Sequence, residues 1–168
     1  GQLEYIVLSS IAFSTVVPAI IAAYSMFRPA CSLSDTHSSD PGPGSWFAWL
    51  LISSGIGMHS AALAFPSELF PCVWIACALF LDGLAMLVSG RSLAHEMILG
   101  RWGDLVRIAL AGIVCGVLWE FWNFWSMPKW EYRIPYLGFW EIFEMPAVGY
   151  LGYIPFAWAV IQLVRSFD

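Results

Sequence analysis

Five apolar runs, each near the length a helix needs to cross a lipid bilayer, limit this chain more than any other feature. A helix rises about 1.5 Å per residue, so about 20 apolar residues span a hydrocarbon core of about 30 Å. The runs fall at about 4–27, 45–65, 69–90, 105–126 and 147–165. Composition points the same way. Of 168 residues, 60% are hydrophobic and 11% charged, where soluble domains average about 45–50% and about 25%. A soluble fold of this length cannot hide so much apolar surface. The expected fold is therefore all-α: a single transmembrane helical domain over 1–168, with about five spans.

The first run carries Pro18, which predicts a kink. It lacks a basic leader and is long enough to span, so it reads as a membrane helix rather than a signal peptide. The second run contains no Lys, Arg, Asp or Glu. Residues 28–44, RPACSLSDTHSSDPGPG, form a polar loop rich in turn residues. Pro66-Ser67-Glu68 is a tight turn joining the second and third spans. Between Arg91 and Asp104, the residues Leu93, Met97 and Ile98 stand at helical spacing and predict a short helix on the membrane surface. Residues 136–165 are too long for one straight span and are interrupted by Pro146, Gly149, Gly152 and Pro155. The reading is a short interfacial or re-entrant helix over 136–145 before the last span, with one continuous tilted helix as the alternative.

Arg28, Arg91, Arg101, Arg107 and Arg165 fall on one side of this topology, and Lys129 and Arg133 on the other. The basic side faces the cytoplasm, which places the N-terminus outside and the C-terminus inside, in a bacterial cytoplasmic membrane. There is no basic tract, so nucleic acid is not an expected partner. Cys31, Cys72, Cys77 and Cys115 form no Cys-x-x-Cys pair and read as small core residues.

Against this background the stretch 118–146, LWEFWNFWSMPKWEYRIPYLGFWEIFEMP, stands out for its density of tryptophans and carboxylates. Glu120 lies in the outer third of the fourth span, with Asn123 one turn on. A carboxylate inside a membrane is costly, so a functional role is the default expectation. A structural hydrogen bond across helices is the plainer one. Its expected partners are Asn123, His59 from the second span, and Lys129 or Arg133 from the loop. Glu141 and Glu144 stand at i, i+3 and share one face of the segment that re-enters the membrane; solvation at the interface is the plainer reading. Trp119, Trp122, Trp125, Trp130 and Trp140 fit an interfacial aromatic belt, and also a ring-lined ligand pocket. Asp82 lies toward the cytoplasmic half, away from this cluster.

His59, Glu120, Glu141 and Glu144 form a conceivable ligand set, but no His-x-x-x-His or Glu-x-x-His spacing is present, and no metal site is expected. His59 is the sole histidine within a span, which argues against haem held between two histidines. No nucleotide loop or serine elbow appears. No specific cofactor is implied.

The segment 116–157, with its Trp-Glu-Phe-Trp-Asn and Glu-Met-Pro patterns, resembles small multi-spanning bacterial membrane proteins of unknown function. In outline the chain is also similar to membrane-embedded lycopene cyclases, which place glutamates and a proline near the interface. Their Pro-x-Glu-Glu motif is replaced here by Glu144-Met145-Pro146. It is similar in outline to the tryptophan-rich sensory proteins too, but lacks their Lys-Pro-x-Trp stretch. None of these resemblances transfers a catalytic residue.

Three functions are compatible with these features. The first is binding of a bulky apolar molecule (lipid, isoprenoid or tetrapyrrole), with Trp119, Trp122, Trp125, Asn123, His59, Lys129 and Arg133 as contacts. The second is acid–base catalysis on an isoprenoid or lipid by Glu120 with Glu141 or Glu144. The third is an accessory role, in which the aromatic face packs on a membrane protein partner.

Overall fold

A computed structural model describes residues 2–27, 42–132 and 140–167. Its helices are α1 (Gln2–Met26), α2 (Ser45–Ala64), α3 (Pro66–Leu69), α4 (Cys72–Ser89), α5 (Leu93–Ile98), α6 (Gly103–Trp125) and α7 (Tyr153–Arg165). A small hairpin, β1 (Glu141–Ile142) and β2 (Met145–Pro146), and a 3-10 turn (Ala147–Gly152) precede α7. Five segments are long and apolar enough to cross a membrane: α1, α2, α4, α6, and the 3-10 turn continued by α7. Pro18 lies inside α1, and α5 forms the short helix expected after the third span.

The helix 136–145 is corrected by the structure. Arg133 and the rest of 133–139 lie outside the described residues, but 140–146 is a hairpin with Ile142 paired to Met145. A proline disfavours helical backbone in the residue before it, so Met145 is extended. Trp140 and Phe143 adopt left-handed backbone (φ 56° and 59°), which also ends any helix. The continuous-helix alternative fails for the same reasons. The shared helical face of Glu141 and Glu144 goes with it: Glu141 is an exposed strand residue and Glu144 sits in the turn. Pro155 is accommodated in the first turn of α7, where its missing N–H breaks no helical bond.

Packing across the bundle runs in the order α2, α4, α7, α6, α1. The closest approaches occur at glycines. A Cβ on Gly55 would lie 2.7 Å from the Ala76 carbonyl, and one on Gly83 2.7 Å from the Ala48 carbonyl, so α2 and α4 meet backbone to backbone. Gly112 and Gly116 do the same for α6 and α7. A Cβ on Gly112 would stand 2.5 Å from the Tyr153 carbonyl, and one on Gly116 2.3 Å from the Tyr153 ring. This is the small-xxx-small spacing by which membrane helices gain close contact.

One end of the bundle is tied by a continuous polar network. Asp82, fully buried on α4, accepts hydrogen bonds from Ser92 Oγ (2.7 Å), the Leu93 N–H (2.8 Å) and the Ala94 N–H (3.0 Å). It thereby anchors the N-terminus of α5, where amides and dipole favour an anion. Trp158 Nε1 (3.3 Å) and Gln162 Nε2, both on α7, donate to the same carboxylate. Gln162 also accepts from Arg165 (3.1 Å), and Arg165 pairs with Asp104 of α6. Tyr24 of α1 donates to Asp104 (2.7 Å), with Arg107 beside both at 3.2–3.3 Å. Helices α1, α4, α6 and α7, together with α5, are thus joined through one chain of charge-assisted bonds.

Candidate functional site

The opposite end of the bundle holds Glu120. It lies on the inward stripe of α6 with Ile108, Ala111, Gly112, Gly116 and Asn123, and its relative exposure is 0%. Gly116, one turn earlier, leaves room for the Tyr153 ring, and the Tyr153 hydroxyl donates to Glu120 Oε1 at 2.8 Å. Tyr132 donates to the same oxygen at 2.7 Å. The other oxygen faces Asn123 Nδ2 at 3.5 Å.

Asn123 has a second task. Its Oδ1 accepts from the Trp130 N–H at 2.7 Å, and its Nδ2 donates to the Trp130 carbonyl at 2.8 Å. This two-bond clasp imitates a strand pair and folds the loop back over the end of α6. The helix is closed by Ser126, whose N–H (3.0 Å) and hydroxyl (2.8 Å) both donate to the Asn123 carbonyl. The clasp is what delivers Tyr132, two residues beyond Trp130, to Glu120. Burial, and then the hydrogen bond to Glu120, raise the Tyr132 hydroxyl above its ordinary value, so it remains an O–H donor at neutral pH. Trp119 also hydrogen bonds to Tyr132.

The hairpin packs beside this cluster. Phe143 sets its ring against Phe121 (5.9 Å) and Phe124 (5.8 Å), and Tyr150 donates to the Ile142 carbonyl at 3.0 Å. Lys129 pairs with Glu144 at 2.5 Å and lies over the Phe124 ring. A left-handed non-glycine residue carries strain of about 1–3 kcal/mol; Phe143 is held there by its ring contacts.

The structure therefore brings Glu120, Asn123, Tyr132 and Tyr153 together, with Trp119 at their edge. Trp122 and Trp125 are largely exposed, at 68% and 72%, whereas Glu120 is fully buried. Trp125 instead helps to line a hollow of about 470 Å³ with Phe124, Met127, Pro128 and Lys129. Lys129 is turned toward Glu144, and His59 sits on α2 at the edge of the bundle, remote from α6 in the packing order. Glu141 is exposed on β1. Among the described residues no group of three or more His, Cys, Asp or Glu is placed to hold a metal.

The two tyrosines were not anticipated. Tyrosine has an apolar body and a hydroxyl that needs a partner when buried. A tyrosine six residues past the end of an acid-bearing span, and another in the last span, are the signals available.

Gly116→Ala is expected to drive the Tyr153 ring off Glu120 and to cost about 2 kcal/mol, as overpacking does. Thermal unfolding in detergent measures this loss, and Val117→Ala, which removes bulk from an exposed position, should leave the midpoint close to that of the unaltered protein.

The chain matches no protein-family model, no curated protein and no solved structure.

Proposed function

We propose that this is an integral membrane protein that binds a bulky apolar molecule of the lipid, isoprenoid or tetrapyrrole class at the Glu120 end of its bundle. The observation that carries the reading is the hollow of about 470 Å³ beside the buried Glu120 cluster. Its walls are Phe124, Trp125, Met127 and Pro128, and its polar lining is Ser126, Lys129 and Glu131. An apolar cleft of a few hundred Å³ with few polar groups is the usual form of a small-molecule site. Trp125 supplies the ring face, and Lys129 an ammonium for an acidic or carbonyl head. Asn123 and Glu120 hold the loop in place from beneath.

Trp125→Ala is expected to weaken binding of a fluorescent lipid analogue by about tenfold, since an aromatic ring contact contributes about 0.5–1.5 kcal/mol on top of the area it covers. Lys129→Met should do so only for an anionic analogue. Equal binding by all three proteins would count against the site.

A second reading rests on the Glu120–Tyr132–Tyr153 triad itself. A buried acid with two phenols on one oxygen is an arrangement for proton transfer, and it supports acid–base chemistry on an isoprenoid or lipid with Glu120 as the acid. An accessory role in a larger complex predicts instead a stoichiometric protein partner on native purification.

We also propose that the Glu120 end faces outward and the Arg107–Arg165 end the cytoplasm, in a bacterial inner membrane. The motive is the five-to-two division of basic residues. In a background free of native cysteines, Met127→Cys, 96% exposed, should react with an impermeant thiol reagent in intact cells. A cysteine in the loop 28–44 should react only after lysis. The reverse pattern inverts the orientation.

A further inference from the structure

A second cavity, of about 370 Å³, opens between α2 and α4, away from the Glu120 cluster. Gly55 forms part of its floor, Ile56, Leu63 and Phe80 its apolar walls, and His59 and Cys77 its polar lining. Its size falls within the range of about 300–1,000 Å³ for small-molecule sites. It lies along two spans, and it opens at the side of the bundle because α2 is an edge helix.

His59 is half-buried, and among the described residues its imidazole makes no hydrogen bond. The neighbouring Ser60 hydroxyl is engaged, donating to the Ile56 carbonyl at 2.9 Å. A polar group inside a span is costly unless a partner satisfies it, and such groups usually mark a ligand or pathway. An imidazole ring has two nitrogens, through which it can pair with a polar group of a ligand.

We infer that this groove binds a neutral, carbonyl-bearing lipophile of the quinone class, whose ring carbonyl accepts a hydrogen bond from His59 and whose tail lies along Ile56 and Leu63. Charge selects the head. Neither α2 nor α4 contains a lysine or arginine, so a phosphate would find no counter-charge there. Phe80 gives the groove a ring face, which suits a planar head. This site is separate in place and in chemistry from the hollow at Trp125.

The test is equilibrium binding of a radiolabelled benzoquinone with a decyl tail to the full chain in neutral phosphatidylcholine nanodiscs. The expected result is saturable binding at one quinone per chain. His59→Leu should weaken it about tenfold, the loss of one hydrogen bond to a buried polar group. His59→Gln, which keeps a donor and an acceptor, should recover most of it. Ile56→Trp, which fills the groove from an exposed position, should abolish it, while Trp125→Ala leaves it unchanged. Size-exclusion profiles and unfolding midpoints identify a variant that has lost its fold, and His59→Gln and Ile56→Trp each decide the matter if His59→Leu has. Absence of saturable binding overturns the inference. Equal affinities for the unaltered chain and His59→Leu overturn it too, because the tail alone would then be recognised. Loss of a dimer in Ile56→Trp with quinone binding intact assigns the groove to a second copy of this chain and overturns it as well.

Discussion

Asp82→Ala is expected to destabilise the protein by about 4 kcal/mol, among the largest effects a single substitution gives. The carboxylate accepts from Ser92, the Leu93 and Ala94 amides, Trp158 and Gln162. Hydrogen bonds to a charged group contribute about 1.5–3 kcal/mol each, and orphaned buried donors cost about 1–3 kcal/mol each. These contributions are not additive, because Ser92 and Gln162 can turn to other partners. Asp82→Asn keeps the shape but turns one acceptor into a donor facing donors, so about 2 kcal/mol is expected. Reversible unfolding in mixed micelles measures both. Hydrogen exchange should localise the first opening to α5, whose N-terminal amides lose their acceptor. A near-neutral Asp82→Ala would mean that the buried network does not hold this end together.

Glu120→Leu is expected to cost about 3 kcal/mol, because it leaves the hydroxyls of Tyr132 and Tyr153 buried without their acceptor. Glu120→Gln keeps an oxygen for both phenols and should cost about 1 kcal/mol or less. Its effect falls on function: an amide nitrogen replaces one of the carboxylate oxygens that face the phenols and Asn123, and binding or turnover should drop about tenfold or more. The contrast matters more than either value. A leucine variant as stable as the glutamine variant would place Glu120 at a lipid boundary rather than in a hydrogen-bonded interior.

The long apolar helices were legible because hydrophobic length needs no tertiary knowledge: α2 begins and ends within a residue of the apolar run. The special position of Glu120 was legible for the same reason, as a charge has no business in such a run without a partner. Its partners were harder. Asn123 follows from helical spacing, but Tyr132 arrives through a backbone clasp on Trp130, and Tyr153 through the glycine seam on α6. Neither contact has a local signature. Lys129 and His59 shared the expected depth with Glu120, yet one turns to Glu144 and the other lies across the bundle, since sequence gives depth and not neighbours. The hairpin was missed because its left-handed positions are filled by Trp140 and Phe143 rather than by glycine, the residue that usually announces such a turn. Asp82 was read as lying away from Glu120, and the two have separate hydrogen-bond partners, but its role needed α5 and α7 to be folded against it.

Native mass spectrometry of the mildly solubilised protein tests the central claim most directly. The account predicts one apolar molecule retained per chain at the Glu120 end, lost from Glu120→Gln and Trp125→Ala although both variants keep the unaltered protein's fold. A chain that carries only bulk lipid, or variants that retain the same molecule in the same amount, would contradict it.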